Sequence, residues 1–93
     1  MGKAITKEKL DKYRSLTAKA LEIAKNSVLK RKKKEAKEII EMVENYLSDS
    51  KYFQDRGDFI SAFAALNYAH GWLDSGARLG IFNVKDDRLF TIK

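Results

Sequence analysis

The stretch Gly57-Asp58-Phe59-Ile60-Ser61-Ala62-Phe63-Ala64-Ala65-Leu66-Asn67-Tyr68-Ala69-His70-Gly71-Trp72-Leu73-Asp74-Ser75-Gly76-Ala77-Arg78-Leu79-Gly80 decides the fold. Asp58 suits a helix start, because its carboxylate accepts bonds from the free N–H groups of a first turn and meets the positive end of the helix dipole. Gly57 and Gly80 suit the left-handed position that closes a helix. Between them, Phe59 to Ala69 is apolar on almost every side. A helix of that kind is enclosed by its neighbours or presents one face to a partner. The small residues Ala62, Ala64, Ala65, Ala69, Gly71, Ser75, Gly76 and Ala77 let other helices approach closely. Gly71 and Gly76 each cost about 1 kcal/mol in helix propensity relative to Ala, and close helix contact is expected to offset both.

Working outward, two further helices are readable. Thr6 is a good N-cap, with Ile5 and Leu10 at the spacing of a hydrophobic staple. Leu10, Tyr13, Thr17, Ala20, Leu21, Ala24 and Val28 then mark one buried stripe, widened by Leu16 and Ile23. Ala36, Ile39, Ile40, Val43, Tyr46, Leu47, Ser50 and Phe53 follow the same period, while Lys37, Glu38, Glu41, Glu44, Asp49 and Gln54 fall on the opposite, polar face. Between these runs, Asn26-Ser27 offers turn chemistry and Lys30 to Lys34 are five adjacent, mutually repelling cations. One continuous helix through this region is the alternative. The periodicity predicts helices over about 7–26, 32–56 and 58–79. The expected fold is all-α: a three-helix up-and-down (antiparallel) bundle over residues 1–82, with a short non-helical C-terminal tail over 83–93. In that tail Ile81 and Phe82 are expected to fold back on the bundle. Leu89 to Ile92 form an ordered extended segment, a frayed end, or a piece that docks into a second subunit.

Composition narrows the function. The 93 residues fit one domain, and the absence of cysteine removes disulfides and thiolate metal sites. No apolar run reaches the ~18–20 residues that span a bilayer. The N-terminus lacks the apolar core of a signal peptide, and the nominal myristoylation match of Gly2 with Thr6 is set aside as coincidental. A cytoplasmic protein is expected. Residues 1–37 hold 13 Lys/Arg against 4 Asp/Glu, and residues 38–93 hold 6 against 9, so +9 and −3 make the net +6. A basic front half suits an acidic partner such as nucleic acid; a solvated surface of the heat-adapted kind is the simpler account.

Three groups of residues carry the candidate chemistry. His70, Asp74 and Arg78 lie at i, i+4 and i+8 on one helix face. A carboxylate beside an imidazole is able to orient a general base, but Asp74 pairing with Arg78 and bonding to His70 explains the stripe as structural. With one histidine and no cysteine, no metal site and no cofactor are expected. Phe63, Tyr68 and Trp72, with Tyr52 nearby, are a candidate partner surface, although aromatics beside many alanines are expected chiefly in the core. Lys30, Arg31, Lys32, Lys33 and Lys34 are candidate phosphate contacts, without any aromatic among them to stack bases. No phosphate loop, nucleophile elbow or HExxH motif is present, and the arginine of helical HEPN-type ribonucleases is missing where Phe63, Ala64 and Ala65 stand.

Tyr46-Leu47-Ser48-Asp49-Ser50, Tyr52-Phe53, Gly57-Asp58-Phe59, Ala62, Ala64 to Gly71, Leu73-Asp74 and Gly76 to Gly80 resemble a small archaeal family known as domain of unknown function 357. The resemblance covers about Tyr46 to Phe82. Ser75 stands where the family is expected to have Ala, and the Lys-rich linker belongs to this chain rather than to the pattern. The resemblance implies a three-helix bundle in an archaeal cytoplasm and carries no established activity. Gly57, Phe59, Ala62, Leu66 and Ala69 are also similar in spacing to the second half of a tetratricopeptide helix pair, and to microtubule-interacting-and-trafficking domains. No 34-residue period repeats. The leading expectation is a non-enzymatic protein-interaction or homo-oligomerising module. A nucleic-acid-associated accessory protein is the alternative, and an enzyme using His70 and Asp74 ranks last.

Overall fold

The computed structural model of the chain describes residues 4–86 and 88–90. Helix α1 runs Lys7–Lys25, α2 runs Lys33–Asp55 and α3 runs Phe59–Arg78, with a single 3₁₀ turn over Lys30–Lys32 before α2. The three helices form an all-α bundle measuring 44 × 24 × 16 Å. The central element is α3, which lies against both other helices, its contact with α2 being the more extensive.

Local chemistry sets each helix end. Thr6 Oγ1 accepts from the Lys9 N–H at 3.1 Å and starts α1, while Ile5 covers Leu10 as a staple does. At the other end the Asn26 amide donates to the Glu22 carbonyl and the Ser27 hydroxyl to the Ile23 carbonyl, at 3.0 and 2.7 Å. Those side chains take the last carbonyls of α1, and the chain turns extended at Leu29. The continuous-helix alternative is therefore ruled out. The break is held from the other side by the tail: Leu29 N–H donates to Ile81 O and Asn83 N–H to Ser27 O, at 3.2 and 2.8 Å.

Two glycines close helices in the same way. At Gly57 (φ 79°) the Asp58 N–H reaches Phe53 O and the Gly57 N–H reaches Gln54 O, both at 2.9 Å. At Gly80 (φ 74°) the Ile81 N–H reaches Gly76 O at 2.9 Å and the Gly80 N–H reaches Ala77 O at 3.2 Å. Each is a paired closure that satisfies two of the last carbonyls of its helix. Asp58 turns at once into an N-cap, its Oδ1 accepting from Ser61 N–H at 3.1 Å.

The larger part of the core joins Ala20, Leu21 and Ala24 of α1, Ala36, Ile39 and Val43 of α2, and Ala69 and Leu73 of α3 with Ile81, Phe82 and Phe90 of the tail. Phe90 is only 2% exposed, so the tail as far as Phe90 docks on its own bundle. Its last residues, Thr91, Ile92 and Lys93, lie outside the described residues, as do Met1, Gly2 and Lys3. Gly76 makes the docking of Phe82 possible, since a Cβ there would overlap the Phe82 ring and stand 3.2 Å from Ile39 Cδ1. A second, smaller cluster of Leu10, Ala62 and Leu66 fills the opposite end.

Buried polar atoms tie the three helices together near that smaller cluster. Ser50 is fully buried; its hydroxyl donates to Ala62 O on α3 at 2.9 Å and accepts from the Arg14 guanidinium on α1 at 2.9 Å. Arg14 also reaches Asp11, which accepts from the Gln54 amide at 3.1 Å. Gln54, expected on the solvent face of α2, is thus a buried residue. The reason lies on another helix: Asp11 supplies the acceptor that makes its burial tolerable.

Candidate functional site

Three surfaces are candidates, two of them along α3. On the α1 side, a groove of about 390 Å³ is lined by Tyr13, Leu16, Thr17, Asn67, His70 and Asp74, among others. His70 Nε2 lies 2.8 Å from the carbonyl oxygen of Leu89. A carbonyl only accepts, so Nε2 carries the hydrogen. In the neutral ring Nδ1 is then the acceptor, and Thr17 Oγ1 stands 3.4 Å from it as the hydroxyl donor. Asp74 Oδ1 is 3.7 Å from Nε2. The imidazole therefore links α1, α3 and the tail. His70 and Asp74 are brought together as expected, but Arg78 is not part of the groove and is exposed in the last turn of α3.

The open face of α3 is the second surface. Ile60, Ala64, Asn67, Tyr68, Gly71, Trp72 and Ser75 are exposed along it, with Leu79 just past its end. Tyr68 is 62% exposed, Tyr52 57% and Trp72 38%, so these aromatics are not core residues. The physical cause is the alanine-rich buried face: Ala62, Ala65 and Ala69 draw the helices too close to admit large rings, which are displaced to the flanks. The candidate trio separates. Tyr68 stacks on Tyr46 of α2, with centroids 5.5 Å apart. Phe63 turns the other way, half-buried against Tyr13 of α1. Tyr68 and Trp72 remain side by side around Gly71.

Gly71 sits at the floor of two adjoining depressions, one shared with His70 and Asp74 and the other with Tyr68, Trp72 and Ser75. A Cβ built on Gly71 meets nothing within 4 Å. Close packing offsets the propensity cost at Gly76, chiefly against Phe82 of the tail, but not at Gly71, contrary to the expectation for both.

The basic cluster forms the third surface, remote in sequence from α3. Lys30, Arg31, Lys33 and Lys34 are exposed and Lys32 is half-buried. No side chain caps the N-terminus of α2, and cations there oppose the helix dipole. Among the described residues, none of the five forms an ion pair.

Sequence reasoning missed the Asp11–Arg14–Ser50–Gln54 network. Only Ser50, a polar residue on an apolar stripe, signalled it. It also missed the Leu89 carbonyl as the partner of His70, for which the sequence holds no local signal.

These features define a small three-helix protein with a half-open central helix, among whose described residues no helix is long and apolar enough to cross a membrane. The chain belongs to the family described as "Protein of unknown function (DUF357)", whose model matches residues 12–82. That match runs through the basic turn as well, beyond the stretch that carries the resemblance in sequence. No curated protein and no solved structure matches the chain.

Proposed function

We propose that this protein is a non-enzymatic protein-interaction module whose contact surface is the open face of α3. The observation that carries this reading is Gly71. A mid-helix glycine that costs stability, and whose added Cβ would meet nothing within 4 Å, fits a backbone reserved for close approach from outside. Tyr68 and Trp72 beside it are the residue types that anchor interfaces. The hydrogen bonds of His70 to Thr17 and Leu89 suit a structural clamp better than a general base. A photoreactive residue placed at Tyr68 should cross-link to protein in a native extract, and one placed at exposed Lys37 should not. Equal yields at both positions would refute the reading.

A second reading is favoured by the exposure of the basic cluster: contact with the backbone of a nucleic acid. It predicts weak, sequence-independent binding that falls steeply with salt. Replacing Lys32, Lys33 and Lys34 by Gln should abolish it; binding that survives the replacement would remove this reading.

A further inference from the structure

Resting on the interaction reading above, we infer that the occupant of the open face is a second copy of this chain, with the two α3 helices crossing antiparallel about a two-fold axis near Ala69 and His70. In an antiparallel pair, residues equally distant from the axis face each other. An axis between Ala69 and His70 sets Ile60 opposite Leu79 of the second copy, Ala64 opposite Ser75, and Tyr68 opposite Gly71. Asn67 falls opposite Trp72, and these eight are the exposed positions of the face, with Leu79 just past the helix end. Small therefore meets small at Ala64 and Ser75, allowing close approach. A large ring meets the empty site at Gly71. The two most exposed aliphatics, Ile60 at 77% and Leu79 at 72%, cover each other. A face made for an unrelated partner has no reason to be self-complementary in this register.

Charge agrees. The chain carries a net +6, yet the exposed positions of α3 from Ile60 to Ser75 bear no charged side chain. Two copies meeting here bring no like charges together along that length. In this register Arg78 falls opposite Ser61, within one turn of Asp58 at the start of the other helix, and antiparallel helix dipoles attract. The broad face of the bundle, 44 × 24 Å, has room for the ~800 Å² per partner that a stable dimer buries.

Sedimentation equilibrium of the purified full chain tests the proposal. The expected mass is twice the chain's 10.7 kDa. Gly71→Gln has open space within one chain, so it should raise the melting temperature measured at low protein concentration. It should also weaken association by about tenfold or more, because the side chain fills the site that Tyr68 of the second copy enters. A wild-type chain that stays monomeric up to about 1 mM would overturn the dimer, as would a Gly71→Gln protein that still dimerises normally. A monomer that nevertheless cross-links from Tyr68 to a different protein in extract would overturn the second copy as occupant while leaving the interaction reading standing. A monomer with no cross-link defeats both.

Discussion

His70 on α3 donates its Nε2–H to the backbone carbonyl of Leu89 at 2.8 Å, and the next residue, Phe90, is buried in the main core. One imidazole and one ring thus hold the 89–90 stretch of the tail on the bundle. Phe90→Ala should cost about 3 kcal/mol, at the low end for a buried phenylalanine because a terminal segment is able to fray instead of leaving a cavity. His70→Ala should cost about 1–3 kcal/mol, from the orphaned groups it leaves. Urea unfolding measures both. Nitrogen-15 shifts of the neutral ring should report the Nε2–H tautomer; the Nδ1–H tautomer would disprove the tail contact.

The two mid-helix glycines should respond oppositely to the same substitution. Gly76→Ala forces a methyl group into the Phe82 ring and should destabilise by about 1–3 kcal/mol. Gly71→Ala meets open space and should stabilise by about 0.5–1 kcal/mol. Thermal melts of both variants at low concentration decide the matter.

Much of the fold was legible because its signals are local. Thr6, Asp58, Gly57 and Gly80 act on backbone groups within a few residues, and their types announce it. Asn26-Ser27 marked the end of α1 for the same reason. Gln54 was misplaced because its burial depends on Asp11, which lies on another helix. Tyr68 and Trp72 were expected inside because periodicity shows that a helix is apolar but not which of its faces the alanines have already filled. The partner of His70 is a main-chain carbonyl of a non-periodic tail, which side-chain spacing cannot reveal.

Ser50 should tolerate no apolar replacement. Ser50→Ala takes the hydroxyl partner from Arg14 Nη2, beside an Nε that is already without a hydrogen-bond partner, and should cost about 1–3 kcal/mol. Arg14→Met alone should also destabilise. In the double variant the losses should be clearly less than additive, since both remove one interaction. Additive losses in a double-mutant cycle would show the pair uncoupled.

Stability should fall in acid through two hydrogen-bonded carboxylates, the Asp58 cap and Asp86 of the tail. Hydrogen bonds from the Ser61 side chain and backbone hold Asp58 below its ordinary 3.8, and those from Arg88 do the same for Asp86. Their contribution is complete above that ordinary value and is lost as pH falls through the lower folded one. Lys25 is the converse: its hydrogen bond to Glu44 raises it above 10.5, so its contribution is present below that value and lost as pH rises through the folded one. Asp58→Asn should flatten the acid limb of a melting-temperature profile; an unchanged limb would show that the cap is not ionic.

Trp72 is the single tryptophan of the chain, so one 5-fluorotryptophan label gives one fluorine resonance at the centre of the open face of α3. Its broadening by a soluble paramagnetic agent in native extract tests the central claim most directly. The resonance should be protected in the wild-type protein and exposed in Gly71→Gln, which keeps the fold but fills the site of close approach. Equal exposure of the two proteins in extract would contradict the claim that this face is built for contact.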